Sequence, residues 1–144
     1  MASGLFYLDS SLLLGHLIDK NGFILHADSI EHLICSPLVE IEIHRTLERL
    51  YLERKLAIED YSQVIGDARL LFESITMISL TKEIFDRAKE SFPTPIKTLD
   101  SIHMSCILWL QKNQNKDVTL CTLDRQQTNC AKALGFCVET EFAT

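Results

Sequence analysis

"DVTLCTLDRQQTNCAKALGF", residues 117–136, decides the fold. Residues 117–124 are β-rich and apolar enough for a strand, the next dozen read as a helix that Gly135 ends, and Asp124 stands at the junction. The same order recurs in "LFYLDSSLLLGHL", residues 5–17. There, residues 5–8 form a buried strand, Asp9 follows, and Ser10 or Ser11 opens a helix through Leu12, Leu13, Leu14, Leu17 and Ile18, closed by Asn21-Gly22.

Between these two units the alternation continues. "HLIC" at 32–35 is a short strand, and Ser36-Pro37 supplies a cap and a first-turn proline for a helix to about Lys55, with Val39, Ile43, Leu47, Leu50 and Arg54 on one face. Residues 58–73 carry apolar side chains at helical spacing, and "ITMISL" at 75–80 reads as β. Thr81 starts a further helix, which Phe92-Pro93-Thr94-Pro95 ends in an extended loop. "KTLDSIHMSCILWLQK", 97–112, is apolar nearly all round after Asp100, the mark of a buried helix, and Cys137 to Glu139 form a last short strand. Strands alternating with helices predict an α/β fold: a central parallel sheet covered on both faces, in one domain over 1–144.

Composition narrows the class. The chain of 144 residues is 47% apolar and 24% charged, as a well-cored globule requires. Its apolar runs fall short of the roughly 20 residues that span a bilayer. No basic residue precedes the first apolar segment and Asp9 interrupts it, so no secretory signal is read and a cytoplasmic location is expected. Five cysteines, Cys35, Cys106, Cys121, Cys130 and Cys137, show no CxxC spacing and sit among apolar residues, which predicts core thiols. The net charge of −6 argues against charge-driven adhesion to nucleic acid, although Arg45, Arg49, Arg54, Lys55, Lys97, Arg125 and Lys132 are available to meet phosphates.

The acids fall into a pattern. Asp9 and Asp124 each close a predicted strand and precede a helix, so both belong on the carboxyl rim of the sheet, where α/β folds bind ligands. Either alone is explained by helix capping. Asp100 lies in the first turn of its helix, where the dipole favours it and Thr98 is the expected cap. Glu40 and Glu42 are two apart, hence about 200° around the helix axis, and cannot both face one cleft. Converging carboxylates from separate elements form a hard oxygen site suited to Mg²⁺ or Mn²⁺ and to phosphodiester hydrolysis by metal-activated water.

In wording and spacing these segments resemble the PIN-domain ribonucleases, most closely the VapC-type toxins of bacterial toxin-antitoxin pairs, over essentially the whole chain. "YLDSSLL" resembles the family's opening strand and first acid, Asp9, with Ser10 beside it. "SPLVEIEIHRTL" resembles the second motif, a Glu followed by a basic residue, which selects Glu42 and Arg45 over Glu40. "KTLDSIHMSCIL" resembles the third, giving Asp100, with Lys97 where Arg is usual. "VTLCTLDRQQTNCAKALGF" resembles the fourth, giving Asp124.

The resemblance implies a PIN-like three-layer α/β/α sandwich and a Mg²⁺- or Mn²⁺-dependent endoribonuclease acting as the toxin of a type II pair. Asp9 and Asp100 would be principal metal ligands, with Glu42 and Asp124 completing the site. Ser10, Arg45, Lys97 and Arg125 are candidates for substrate contact, Ser10 also for metal or water. The implied partners are an RNA substrate, a cognate antitoxin protein and a second copy of the chain. Ile41, opposite the core face of its helix, suits an interface. His103 is expected to pack in the core with a hydrogen-bond partner. Two rivals stand beside this reading: a PIN-like module that binds RNA or protein without cutting, and a phosphoacceptor receiver domain. The receiver normally needs a second acid next to the first, and "YLDSSL" has only Asp9.

Overall fold

The computed structural model describes residues 4–19 and 32–139. The elements run β1 (Leu5–Leu8), α1 (Ser10–Asp19), β2 (Leu33–Cys35), α2 (Pro37–Leu52), α3 (Ile58–Glu73), β3 (Thr76–Met77), α4 (Lys82–Ala88), α5 (Thr98–Gln114), β4 (Val118–Cys121), α6 (Arg125–Ala133) and β5 (Cys137–Glu139). The five strands pair in the order β3-β2-β1-β4-β5, all parallel. This is the covered parallel sheet that the alternation predicts.

Alternation along the central strands sends side chains to two cores. On one face, Leu8 and Cys121 pack with Leu12, Leu13 and Leu17 of α1, Val39, Ile43 and Leu47 of α2, and Val64 and Ala68 of α3. On the other, Leu5, Tyr7, Val118 and Leu120 pack with Ile84 of α4, Met104, Ile107 and Leu110 of α5, and Cys130 and Ala131 of α6. The sheet is thus the middle of three layers, because a parallel sheet bears apolar residues on both sides.

Local signals explain most boundaries. The Ser36 hydroxyl accepts from the Leu38 amide with Pro37 at the first helical position, so α2 begins there. Thr81 caps α4 through Ile84 N–H. Gly135 ends α6 with φ of 87°, and Phe136 N–H reaches Ala131 O at 2.8 Å while Gly135 N–H reaches Lys132 O at 3.0 Å. That pair of bonds is a Schellman motif, which needs the left-handed residue glycine provides.

Other boundaries move. Helix α2 stops at Leu52 because Arg54 turns to φ of 61°, which takes Arg54 off the helix face assigned to it. Helix α4 stops at Ala88, ahead of the prolines, where the Arg87 guanidinium lies 4.4 Å from the Phe92 ring centre and donates to Ser91 O. Only Thr76–Met77 of residues 75–80 pair as strand, since the sheet ends there with a short edge. Asn21-Gly22 lies outside the described residues.

Cys35, Cys106, Cys121 and Cys130 are buried and Cys137 is exposed, all as free thiols. Burial pushes Cys35 and Cys121 up to about 12, with Glu40 and Glu139 respectively adding to the effect, and Cys106 up to about 11. None of these three is a thiolate at neutral pH, so none is a nucleophile. No helix among the described residues is long and apolar enough to cross a membrane.

Candidate active site

The strand order reverses between β1 and β4. From β1 the chain winds outward through β2 to β3, while β4 lies on the other side of β1 and leads to β5. Such a switch point leaves a crevice beyond the carboxyl ends of its two strands. Leu8 stands opposite Cys121 in the register, so Asp9 and Thr122 are the first residues past the ends, and Asp9 N–H closes the ladder on Cys121 O at 3.0 Å.

Asp9 is 2% exposed, and its two oxygens have different partners. Oδ2 accepts from Ser11 N–H at 3.2 Å, from the Ser11 hydroxyl at 2.6 Å and from the Thr122 hydroxyl at 3.0 Å. The bond from Ser11 N–H makes Asp9 a cap for α1. Oδ1 accepts from Gln127 Nε2 at 3.0 Å. Among the described residues, four hydrogen-bond donors and no cation meet this buried carboxylate, so its oxygens are satisfied without water.

Gln127 joins Asp9 to Asp100. Its Nε2 also donates to Asp100 Oδ1 at 2.8 Å, so one nitrogen holds carboxylates from β1 and α5. Asp100 is raised above the ordinary carboxylate range by burial, with the Gln127 bond opposing the rise and the charges of Asp124 and Asp9 adding to it. Three carboxylates from separate elements therefore sense one another across the crevice. Asp100 itself begins α5 without a side-chain cap: Thr98 is the first helical residue and Lys97 precedes it.

Asp124 differs from its predicted place. β4 ends at Cys121, so Thr122 rather than Asp124 is the counterpart of Asp9 at the strand end. Asp124 comes after a turn through Leu123 and caps α6, its Oδ1 accepting from Gln127 N–H at 2.9 Å. Capping and facing the crevice are compatible, since each acid gives one oxygen to its helix.

Glu42 reaches the site from α2. Its Oε2 accepts from the Ser10 hydroxyl at 3.2 Å and its Oε1 lies 3.0 Å from His103 Nε2. His103, one turn after Asp100 on α5, is fully buried, and its Nδ1 lies 2.7 Å from the Tyr7 hydroxyl. Glu42 offers only acceptors, so in the neutral ring Nε2 carries the proton and Nδ1 accepts from Tyr7. Burial holds the Tyr7 hydroxyl well above its ordinary range, which keeps it a donor. Tyr7, His103 and Ser10 together fix the Glu42 carboxylate, while Glu40 lies close enough to Cys35 to raise that thiol.

The cations are less committed. Arg45 is exposed and ion-pairs with Glu48 on its own helix, one turn along. Lys97 and Arg125 are exposed at the starts of α5 and α6, adjoining Asp100 and Asp124 along the chain. Thr122, Ser11 and Gln127 also build the site, although no motif in the sequence marks them. Strand register points to Thr122. Gln127, a polar residue in the first turn of α6, carries no pattern that predicts its burial.

A model of the PIN domain matches residues 6–133 of the chain. The chain belongs to the PIN domain family. PIN domains are generally nucleases that use divalent metals. The chain is also similar in fold to PAE2754 from Pyrobaculum aerophilum, known from its crystal structure, with TM-score 0.63 and 18% identity over 96% of this chain and 92% of that one. No protein of curated function matches the chain.

Proposed function

We propose that this PIN domain is a Mg²⁺- or Mn²⁺-dependent endoribonuclease and the toxin of a type II toxin-antitoxin pair. The observation that carries the reading is the meeting of Asp9 and Asp100 on one amide nitrogen, with Asp124 in electrostatic reach, at the switch point of the sheet. The donor set is all oxygen, the type that Mg²⁺ and Mn²⁺ select. Asp9 Oδ1 and the Asp100 and Asp124 carboxylates would hold the ion, with Glu42 alongside. A divalent ion there supplies an activated water and stabilises charge on the scissile phosphate.

The remaining work belongs to the chain. Ser11 and Thr122 hold Asp9 Oδ2 so that Oδ1 points into the crevice. His103 and Ser10 orient Glu42, the acid that α2 contributes. Exposed Lys97 and Arg125 meet the RNA backbone on either side of the acids, offsetting the repulsion that an acidic crevice exerts on phosphates. Ile41, 57% exposed on α2, offers an apolar contact for an antitoxin or a second copy.

Among the described residues, no three His, Cys, Asp or Glu side chains already stand at metal-holding distances, and the rival reading is a PIN-like module that binds RNA or protein without cutting. The two readings separate in one experiment. Total RNA is incubated with the full chain in Mg²⁺, Mn²⁺ or EDTA, and cut ends are mapped. The nuclease reading expects discrete metal-dependent cuts, lost in folded Asp9→Ala and Asp100→Ala variants. RNA retention without cuts in either metal would establish the binder instead.

A further inference from the structure

Gln127 is placed as no helix cap needs to be. The capping bond of α6 uses its backbone N–H, so the side chain is free of that task. Yet the side chain is buried, at 3% exposure, and both of its bonds to acids run from Nε2. Its carbonyl oxygen, Oε1, is buried with no hydrogen-bond partner among the described residues. A buried orphan acceptor is costly, so the amide is held in a pose that serves the two acids at its own expense.

What it serves is clear from the lone pairs. Asp9 Oδ2 already has three donors, leaving Oδ1 as the oxygen of Asp9 with capacity to spare, and the amide nitrogen sits on it. The same nitrogen sits on Asp100 Oδ1. An NH₂ group carries the positive end of the amide dipole, so it eases the repulsion between two carboxylates as a weak, built-in substitute for a cation. A divalent ion bound between the two Oδ1 atoms would take the position that this nitrogen holds, 3.0 Å from one and 2.8 Å from the other, and the two electropositive groups repel each other there.

We propose that Gln127 is a displaceable plug of the metal centre: its amide joins Asp9 to Asp100 where the ion binds, and cation entry requires the amide to leave. This rests on the metal-dependent reading above. The plug keeps the acid cluster folded without metal and weakens apparent metal affinity, because part of the binding free energy goes to displacing it.

The test uses the full chain and needs no RNA. Mn²⁺ binding is measured by calorimetry for wild type and Gln127→Leu, and both are melted in EDTA and in Mn²⁺. Expected is about tenfold tighter Mn²⁺ binding by Gln127→Leu, the factor that one net hydrogen bond corresponds to. A lower melting temperature in EDTA and a larger rise on adding Mn²⁺ accompany it. If the Leu variant does not fold, Gln127→Asn, one methylene too short to reach both acids, carries the same expectation. Wild-type binding with equal or weaker binding by the variant overturns the plug and makes Gln127 a bystander or a ligand. No Mn²⁺ binding by either protein refutes the metal-dependent reading itself, and the plug with it.

Discussion

Tyr7→Phe removes a single oxygen from the centre of the molecule. Tyr7 and His103 are both fully buried, and the hydroxyl is 2.7 Å from His103 Nδ1. The ring stays, so no apolar burial is lost and no cavity larger than a hydroxyl opens. What changes is that Nδ1 becomes a buried acceptor without its donor. The alternative tautomer gives no relief, since it would turn a bare Nε2 toward the Glu42 carboxylate at 3.0 Å. An unsatisfied buried polar group costs about 1–3 kcal/mol. At roughly 2–4 °C per kcal/mol for a domain near this size, the melting temperature falls by about 4–8 °C for a cost of about 2 kcal/mol.

Urea titration and thermal melts in EDTA measure it. The companion variant His103→Phe removes the ring nitrogen from the Tyr7 hydroxyl, which Ser36 and Cys106 also approach, so adding Tyr7→Phe to it should cost less than Tyr7→Phe costs alone. That non-additivity is the signature of a direct pair. If Tyr7→Phe melts within about 1 °C of wild type, below the effect of even a weak lost hydrogen bond, or if the two changes simply add, His103 is not held by Tyr7. The account of how Glu42 is oriented then fails.

Three further outcomes are expected. Folded Asp100 keeps its proton to higher pH than its ordinary value near 3.8, so the folded state binds more protons in that window and the metal-free protein loses stability as pH rises through it. Melts in EDTA from about pH 4 to about pH 7 should show this decline and lose much of it in Asp100→Asn, which titrates nothing. Glu42→Gln should cut metal-dependent RNA cleavage by at least about tenfold, because the amide puts a donor against Ser10 or His103, while Glu40→Gln leaves the rate within about twofold. Gly135→Ala should cost roughly 1 kcal/mol in urea titrations, through backbone strain alone, since φ is 87° and an added Cβ would meet nothing within 4 Å.

The fold was legible because its signals are local and agree. Apolar runs, the Ser36-Pro37 start, the Thr81 cap and the Gly135 stop each act within a few residues, and all point to a parallel sheet between helices. The boundaries that shifted have no local signature: the positive φ of Arg54, and the end of α4 at Ala88, ahead of the prolines, where Arg87 lies over the Phe92 ring. At the site, Asp9 and Asp124 showed themselves by standing between strand and helix. The partners did not, because Gln127 reaches Asp9 across 118 positions and Glu42 meets His103 across 61. A glutamine in a first helical turn is unremarkable until the strand register decides which wall it faces.

The switch point has a consequence for when the molecule can act. β1 pairs with β2 on one side, but its other neighbour, β4, begins at Val118. A ribosome has made most of the chain before the central strand can acquire its second edge, and Gln127 emerges later still. Until then Asp9 lacks Thr122 and Gln127, the donors that follow β4 in the chain, and no shortened product ending before β4 can assemble the crevice between β1 and β4. Closing that contact also spans most of the sequence, and non-local pairing of this kind slows folding. The crevice exists only once β4 lies against β1, so a chain cut short of β4 is without it.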